Sequence, residues 1–324
     1  MDVVLHIKHL KTFFFTRDGV AKAVDDVTFL LERGQILGVV GESGCGKSVT
    51  ALSILRIVPH PGKVVSGEIW LDDTDLLKLP IGQMRQIRGN RVSMIFQEPL
   101  ISLNPAFTVG DQLIEALRVH RRVSRSEARR LAIEMLRMVD IPAPERRVND
   151  YPHELSGGMQ QRAMIAEALL LKPEVLIADE PTTALDVTVQ AQVLDVMYTL
   201  TQEMKTAVML ITHNLGLVAE RAQRVLVMYA SKVVEEGPVK AIFEDAKHPY
   251  THGLLRSIPV PGRRRGENRL SLHEIKGIVP SLLDMPRGCA FHPRCGMRKD
   301  LCSEEVPPWL TIEPGHGVSC WLFA

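Results

Sequence analysis

The sequence predicts an α/β fold, a largely parallel sheet whose strands carry polar groups at their C-terminal ends, and three observations predict it. An apolar run, Ile36-Leu37-Gly38-Val39-Val40, leads through a glycine-rich loop into a helical pattern running from Ser48 through Ile57. Three further runs read as buried strands, Val92 to Phe96, Glu174 to Glu180 and Val208 to Thr212, and they end at Gln97, at Asp179-Glu180 and at His213. Between Gln97 and Ser156 the periodicity turns helical, so a helical subdomain is expected as an insertion at about residues 98–165.

The loop Gly41-Glu42-Ser43-Gly44-Cys45-Gly46-Lys47-Ser48 fits G-x-x-x-x-G-K-[ST] in the strand, loop, helix setting that a phosphate cradle requires. Its three glycines let backbone N–H groups turn inward as an anion nest. Lys47 adds a point charge for the β and γ phosphates, and the helix that carries Val49 presents the positive end of its dipole. ATP is therefore expected on residues 41–49. The Ser48 hydroxyl is placed for Mg2+. Cys45 reads as a small spacer, and if exposed it would react with alkylating agents unless ATP protects it.

The strand-end acids supply the rest of a hydrolytic site. Open α/β sheets bind ligands outside the carboxyl ends of their strands. Successive strand side chains face opposite ways, so Asp179 and Glu180 cannot serve one atom. Asp179 is assigned to Mg2+ and Glu180 to polarising water. Gln97 supplies an amide able to see both metal and water, and His213 is placed to hydrogen-bond the γ-phosphate. These four, with Lys47 and Ser48, form the candidate catalytic and metal set.

Leu155-Ser156-Gly157-Gly158-Met159-Gln160-Gln161 adds a second anion-facing helix start, with Ser156 as N-cap and Met159, Ala163, Ala166 and Leu170 at helical spacing before Pro173. With this loop followed by Asp179-Glu180, Ala184-Leu185-Asp186 and His213, the chain resembles the nucleotide-binding subunits of ATP-binding cassette (ABC) transporters. The resemblance implies a P-loop NTPase with a RecA-like core, here at 1–259, and ATP hydrolysis to ADP and phosphate. It also implies a head-to-tail pair of subunits, homo- or heterodimeric. Ser156, Gly157, Gly158 and Gln160 of one would face the ATP held by Lys47 of the other, with Asp186 at the seam. Two membrane permease subunits would receive the stroke, one cytoplasmic helix of each docking beside the Gln97 loop, and an extracytoplasmic solute-binding protein would deliver cargo. By the family's spacing to Ala23-Val24, Phe14 of Phe13-Phe14-Phe15 stacks on adenine, facing away from its two neighbours along the strand.

The helical insertion opens with Asp111 to Leu117. Ser124-Arg125-Ser126-Glu127 has the capping-box form ahead of Leu131, Met135 and Met138. The arginines at 118, 121, 122, 125, 129 and 130 read as a solvated helix face. With 324 residues, 45% hydrophobic content and a formal net charge of +1, the chain has ample core material and no global attraction to nucleic acid. It shows no eighteen-residue apolar run, and Met1-Asp2-Val3-Val4 lacks a signal-peptide pattern, so a peripheral protein on the cytoplasmic face of the membrane is expected.

From Lys247-His248-Pro249-Tyr250 onward, through Arg263-Arg264-Arg265, the chain resembles the oligopeptide/dipeptide importer branch. That likeness implies import of di- or oligopeptides, although nickel and oligosaccharide systems use similar ATPases and a soluble ABC ATPase is the rival class. The extension, 260–324, holds Cys289, Cys295, Cys302 and Cys320, with five, six and seventeen residues between them. Cytosolic thiols stay reduced, and these spacings are not the knuckles of structural zinc. The branch resemblance implies a [4Fe-4S] cluster, with Zn2+ or free thiols as alternatives and His292 and His316 as spare ligands.

Overall fold

A computed structural model describes residues 2–97, 102–182, 186–257 and 275–324, except for the side chain of residue 187. Ala184, Leu185, the arginines at 263–265 and the expected boundary at 259 and 260 lie outside the described residues. The chain divides into two compact units: Met1–Leu5, Leu30–Gln35 and Trp70–Leu210 in the first, and His6–Phe29, Ile36–Ile69 and Ile211–Ala324 in the second.

In the first unit, β6 (Val92–Ile95) runs parallel to β7 (Val175–Asp179), with Val92 opposite Val175 and Ile95 opposite Ala178, and β8 (Ala207–Ile211) lies beside β7. Every residue of β7 and β8 is buried, as expected of strands covered on both faces. Charge anchors the entry to this pair. Glu174 takes two hydrogen bonds from Arg91, and Arg91 and Arg33 both reach Asp72, at 2.6 and 2.5 Å. The Arg91 guanidinium, beside it, holds the Glu174 carboxyl below the usual range. The same register therefore brings Gln97 and Asp179-Glu180 out at one end.

The inserted segment is helical, with helices Val109–His120, Arg125–Met138 and Gly157–Leu169. Leu113, Ile114 and Leu117 of the first and Ala128, Ala132, Met135 and Leu136 of the second are buried. Ser124 does cap its helix, accepting from the Glu127 amide at 3.2 Å, but the Glu127 carboxylate turns to Arg130 at 2.7 Å rather than back to the cap. The basic face is solvated and partly paired, with Arg125 on Asp111 and Arg130 on Glu127 and Glu134.

In the second unit, β3 (Ile36–Val40) runs parallel to β9 (Arg224–Tyr229), and β9 pairs antiparallel with β10 (Lys232–Pro238). The helix after the glycine loop, Lys47–Ile54, is shorter than expected. Arg56 adopts a left-handed backbone, φ 54°, just beyond it, and Pro59 and Pro61 follow.

The tail joins the same sheet. Its hairpin, β11 (Trp309–Glu313) and β12 (His316–Ser319), pairs onto β10, with Glu235 opposite Val318 and Glu236 opposite Gly317. A register shift between Val233 and Glu235 interrupts the alternation of β10, and both neighbouring acids end up buried. Glu235, with 0% exposure, accepts from the amides of Lys247 and His248 and pairs with His316 at 2.8 Å, while Glu236 pairs with Arg224 at 2.5 Å.

Candidate nucleotide site

The phosphate loop is shaped from behind. Gly41, Gly44 and Gly46 have φ of 154°, 78° and 102°. A Cβ on Gly41 would lie 2.2 Å from the Met228 carbonyl oxygen, and one on Gly46 would lie 2.2 Å from that of Ala23. Backbone from β9 and from β2 (Gly19–Glu32) therefore occupies the space that any side chain there would need. A Cβ on Gly44 would meet nothing, and only its φ favours glycine.

Lys47 is 7% exposed, and its ammonium donates to the carbonyls of Gly41 at 2.8 Å and Glu42 at 3.0 Å. The helix it starts has no side-chain cap, which leaves the first-turn N–H groups for an anion. Ser43, Gly44 and Ser48 lie on the exposed side, and Val49 is half-buried. Cys45 departs from the reactive thiol considered for it. It is fully buried, its sulfur accepts from the Lys47 ammonium at 3.7 Å, and burial pushes its pKa up, so it offers no exposed nucleophile.

At the strand ends of the first unit, Gln97 Nε2 donates to Glu180 Oε2 at 3.2 Å. Glu180 has a left-handed backbone, φ 46°, an uncommon conformation for a non-glycine residue and one that collects at functional sites. Asp179 is buried beside it. His213 is exposed, and the preceding Thr212 amide donates to Val39 O at 3.3 Å, which ties that segment to the strand feeding the phosphate loop.

Ser156 caps helix Gly157–Leu169, its hydroxyl accepting from the Met159 amide at 3.4 Å, and Ser156 and Gly157 are exposed. Gln160 turns inward, its amide donating to the carbonyls of Pro152 and Leu155 at 2.8 and 3.2 Å, so within this chain it braces the loop. Asp186 caps helix Val187–Met204 through the Val189 amide at 3.0 Å. The ring of Phe14 lies against Gly62, that of Phe13 beneath the Lys22 ammonium, and Phe15 is 46% exposed.

Two residues outside the predicted set touch the phosphate loop. The Glu42 amide donates to Tyr250 Oη at 2.8 Å, and the Glu42 carboxylate is gripped by Arg294 of the tail. Tyr250 lay within the segment that marked the importer branch, but nothing in the sequence ties it or Arg294 to residue 42.

Cys302 and Cys320 are buried, and Cys289 and Cys295 are half-buried. Burial, with repulsion from the other thiols, pushes Cys289 up to about 11, and burial also raises Cys295 and Cys320. Among the described residues no three His, Cys, Asp or Glu side chains are gathered as a metal-ligand group. The cluster expected on these four cysteines, [4Fe-4S] or Zn2+, therefore has no preformed ligand set.

The family model described as ABC transporter matches residues 24–183, and the one described as oligopeptide/dipeptide transporter, C-terminal region, matches residues 234–302. The probable peptide ABC transporter ATP-binding protein y4tR of Sinorhizobium fredii is 53% identical over 321 residues, 99% of this chain and 95% of that protein. The chain belongs to the ABC transporter family. This ABC subunit is also 48% identical over 324 residues to the oligopeptide transport ATP-binding protein AppD of Bacillus subtilis, covering 100% of the chain and 98% of AppD. A solved structure of the ATP-binding cassette MJ0796, dimeric in a post-hydrolysis state with ADP and Pi, matches with a TM-score of 0.65 and 26% identity, over 72% of this chain and 98% of that one. The fold is that of an ABC ATPase, with ATP hydrolysis as the family's activity. Among the described residues no helix is long and apolar enough to cross a membrane.

Proposed function

We propose that this subunit binds ATP on residues 41–49 and that its hydrolysis energises the import of dipeptides or oligopeptides. The observation that carries the chemistry is the Gln97–Glu180 contact at the end of the buried β6–β7 pair. The Glu180 carboxylate, held in place by the Gln97 amide, is placed to accept a proton from an attacking water, and the amide to orient that water. Lys47 and the uncapped helix start bind the phosphates, and His213 contacts the γ-phosphate. Mg2+ suits the hard oxygen donors on offer, the exposed Ser48 hydroxyl, the Asp179 carboxylate and the Gln97 amide oxygen, and when bound it supplies charge neutralisation for the transferred phosphoryl group. Phe14 stacks on adenine. The peptide cargo is supported by the C-terminal family match and by the names of the relatives.

The exposed start of helix Gly157–Leu169 supports a partner ATPase, since it presents Ser156 and Gly157 outward. Membrane attachment then comes from two permease subunits on the cytoplasmic face, with a solute-binding protein on the other side. For the tail, we propose that the four cysteines carry a [4Fe-4S] cluster, assembled as the ion binds, a reading supported by the sulfur chemistry of four thiols within one short segment. Anaerobically purified protein should contain iron and acid-labile sulfide; zinc alone, or neither element, would replace that reading.

The functional test is a trap. Tagged Glu180→Gln protein should bind ATP, lose turnover by about 10²- to 10⁴-fold, and co-purify from gently solubilised native membranes with multi-spanning proteins and a second ATPase. Recovery of only soluble partners would reject the importer.

A further inference from the structure

The phosphate loop contains an acid where an anion is to bind. Glu42 follows Gly41 directly, and its negative charge opposes phosphate. The tail supplies the counter-charge. Arg294, in the turn His292–Arg294, donates from Nη1 to Glu42 Oε2 at 2.7 Å and from Nη2 to Oε1 at 3.0 Å, the paired geometry that fits a carboxylate best.

Arg294 is itself held on several sides. Its side chain is 4% exposed, against 27% for Glu42. Nη1 also donates to Tyr229 Oη at 3.3 Å, Nη2 to the Ile275 carbonyl at 3.1 Å and Nε to the Lys276 carbonyl at 3.1 Å. The rings of Tyr229 and Phe291 lie 5.7 and 6.0 Å from the guanidinium carbon. The other support of the loop shares this packing. Tyr250, which accepts from the Glu42 amide, stands 4.6 Å from the Tyr229 ring and 5.4 Å from Phe291. Side chain and backbone of one phosphate-loop residue are thus fixed by a single aromatic cluster to which the tail contributes.

We propose that Arg294 is a positioning residue of the ATPase, neutralising Glu42 and holding the phosphate loop in its binding shape, so that the C-terminal extension is a working part of the nucleotide site. The proposal rests on residues 41–48 being the nucleotide loop. It differs from a plain tether, which would change melting temperature and leave nucleotide binding alone. It also predicts how the two residues combine. Removing the arginine exposes a carboxylate to the phosphates, and removing that carboxylate as well relieves the repulsion.

The test uses the full chain and compares wild type with Arg294→Gln, Arg294→Lys, Glu42→Gln and the Glu42→Gln/Arg294→Gln pair. Affinity for a fluorescent ATP analogue, KM, kcat and melting temperature are measured for each. Arg294→Gln should weaken ATP binding and raise KM by about 10- to 100-fold, the scale of a misplaced binding group. Arg294→Lys should fall between, because it keeps the charge and loses the two-pronged fit. The double variant should bind ATP more tightly than Arg294→Gln alone. A lower melting temperature with unchanged affinity and KM would overturn the proposal, as would losses from the two single changes that simply multiply. If Arg294→Gln does not fold, Arg294→Lys and the double variant carry the same comparison. Lys47→Ala is the separate control, since ATP binding that survives it would refute the reading of the loop itself.

Discussion

The phosphate loop and the Ser156 loop are both glycine-rich starts of helices, yet they are built in opposite ways. The first is shaped by backbone behind it, with carbonyls of Met228 and Ala23 where side chains would go, and its helix start has no cap. The second is braced by its own Gln160, capped by its own Ser156 and exposed at Ser156 and Gly157. In one loop folding dictates the glycines and the open N–H groups await an anion. In the other, folding is already satisfied, and the exposed Ser156 and Gly157 are left for the partner proposed above.

The sharpest way to break this contrast is to add one methyl group to each loop. Gly41→Ala meets a backbone oxygen at 2.2 Å and imposes a positive φ on alanine, so it should cost about 3 to 5 kcal/mol in urea unfolding. Gly158→Ala meets the Val189 side chain at 2.7 Å, which can shift, and it gains helix propensity. Its stability should change by about 1 kcal/mol or less, while its ATPase activity falls. Equal destabilisation by the two changes would abolish the distinction.

Acid should sharpen the contrast, because the helix that brings Tyr250 to the phosphate loop is capped by a buried histidine. His248 caps helix Pro249–Arg256 by accepting from the Tyr250 amide at 3.1 Å, and burial lowers its pKa from 6.5 to about 3. Between those values the unfolded chain holds one more proton at this site than the folded chain. Stability therefore falls as pH falls below 6.5, by at most about 1.4 kcal/mol per pH unit. His248→Asn keeps a cap and should flatten the slope between pH 6.5 and 4. A slope unchanged in that variant would assign the acid sensitivity to other groups.

Much of this was legible in the sequence, for a definite reason. Glycine spacing, apolar runs of strand length and polar residues at strand ends are local signals, and they located the glycine loop between β3 and its helix, β6, β7, β8, the cap at Ser124 and the helix after Ser156. What escaped depends on long-range pairing. Glu235 and Glu236 are both buried beside the bulge in β10, on partners at 316 and 224 that no spacing rule connects. Arg294 and Glu42 lie 252 positions apart, so only the folded chain brings them together. Cys45 was legible as a spacer, but its full burial follows from the close approach of Gly41, whose added Cβ would lie 2.8 Å from its sulfur.

The smallest expected change in stability is the most discriminating for the exposed loop. Ser156→Ala removes a cap and should cost about 1 kcal/mol, which reports only on the helix. Ser156→Asp keeps a capping oxygen and places a negative charge at the favourable end of the helix dipole, so the isolated chain should be as stable as wild type. If the loop faces the γ-phosphate of a partner's ATP, that same charge must repel it, and ATP-dependent pairing, read by light scattering of the Glu180→Gln protein, should disappear. A Ser156→Asp chain that still pairs on ATP would leave Ser156 as a helix cap and nothing more.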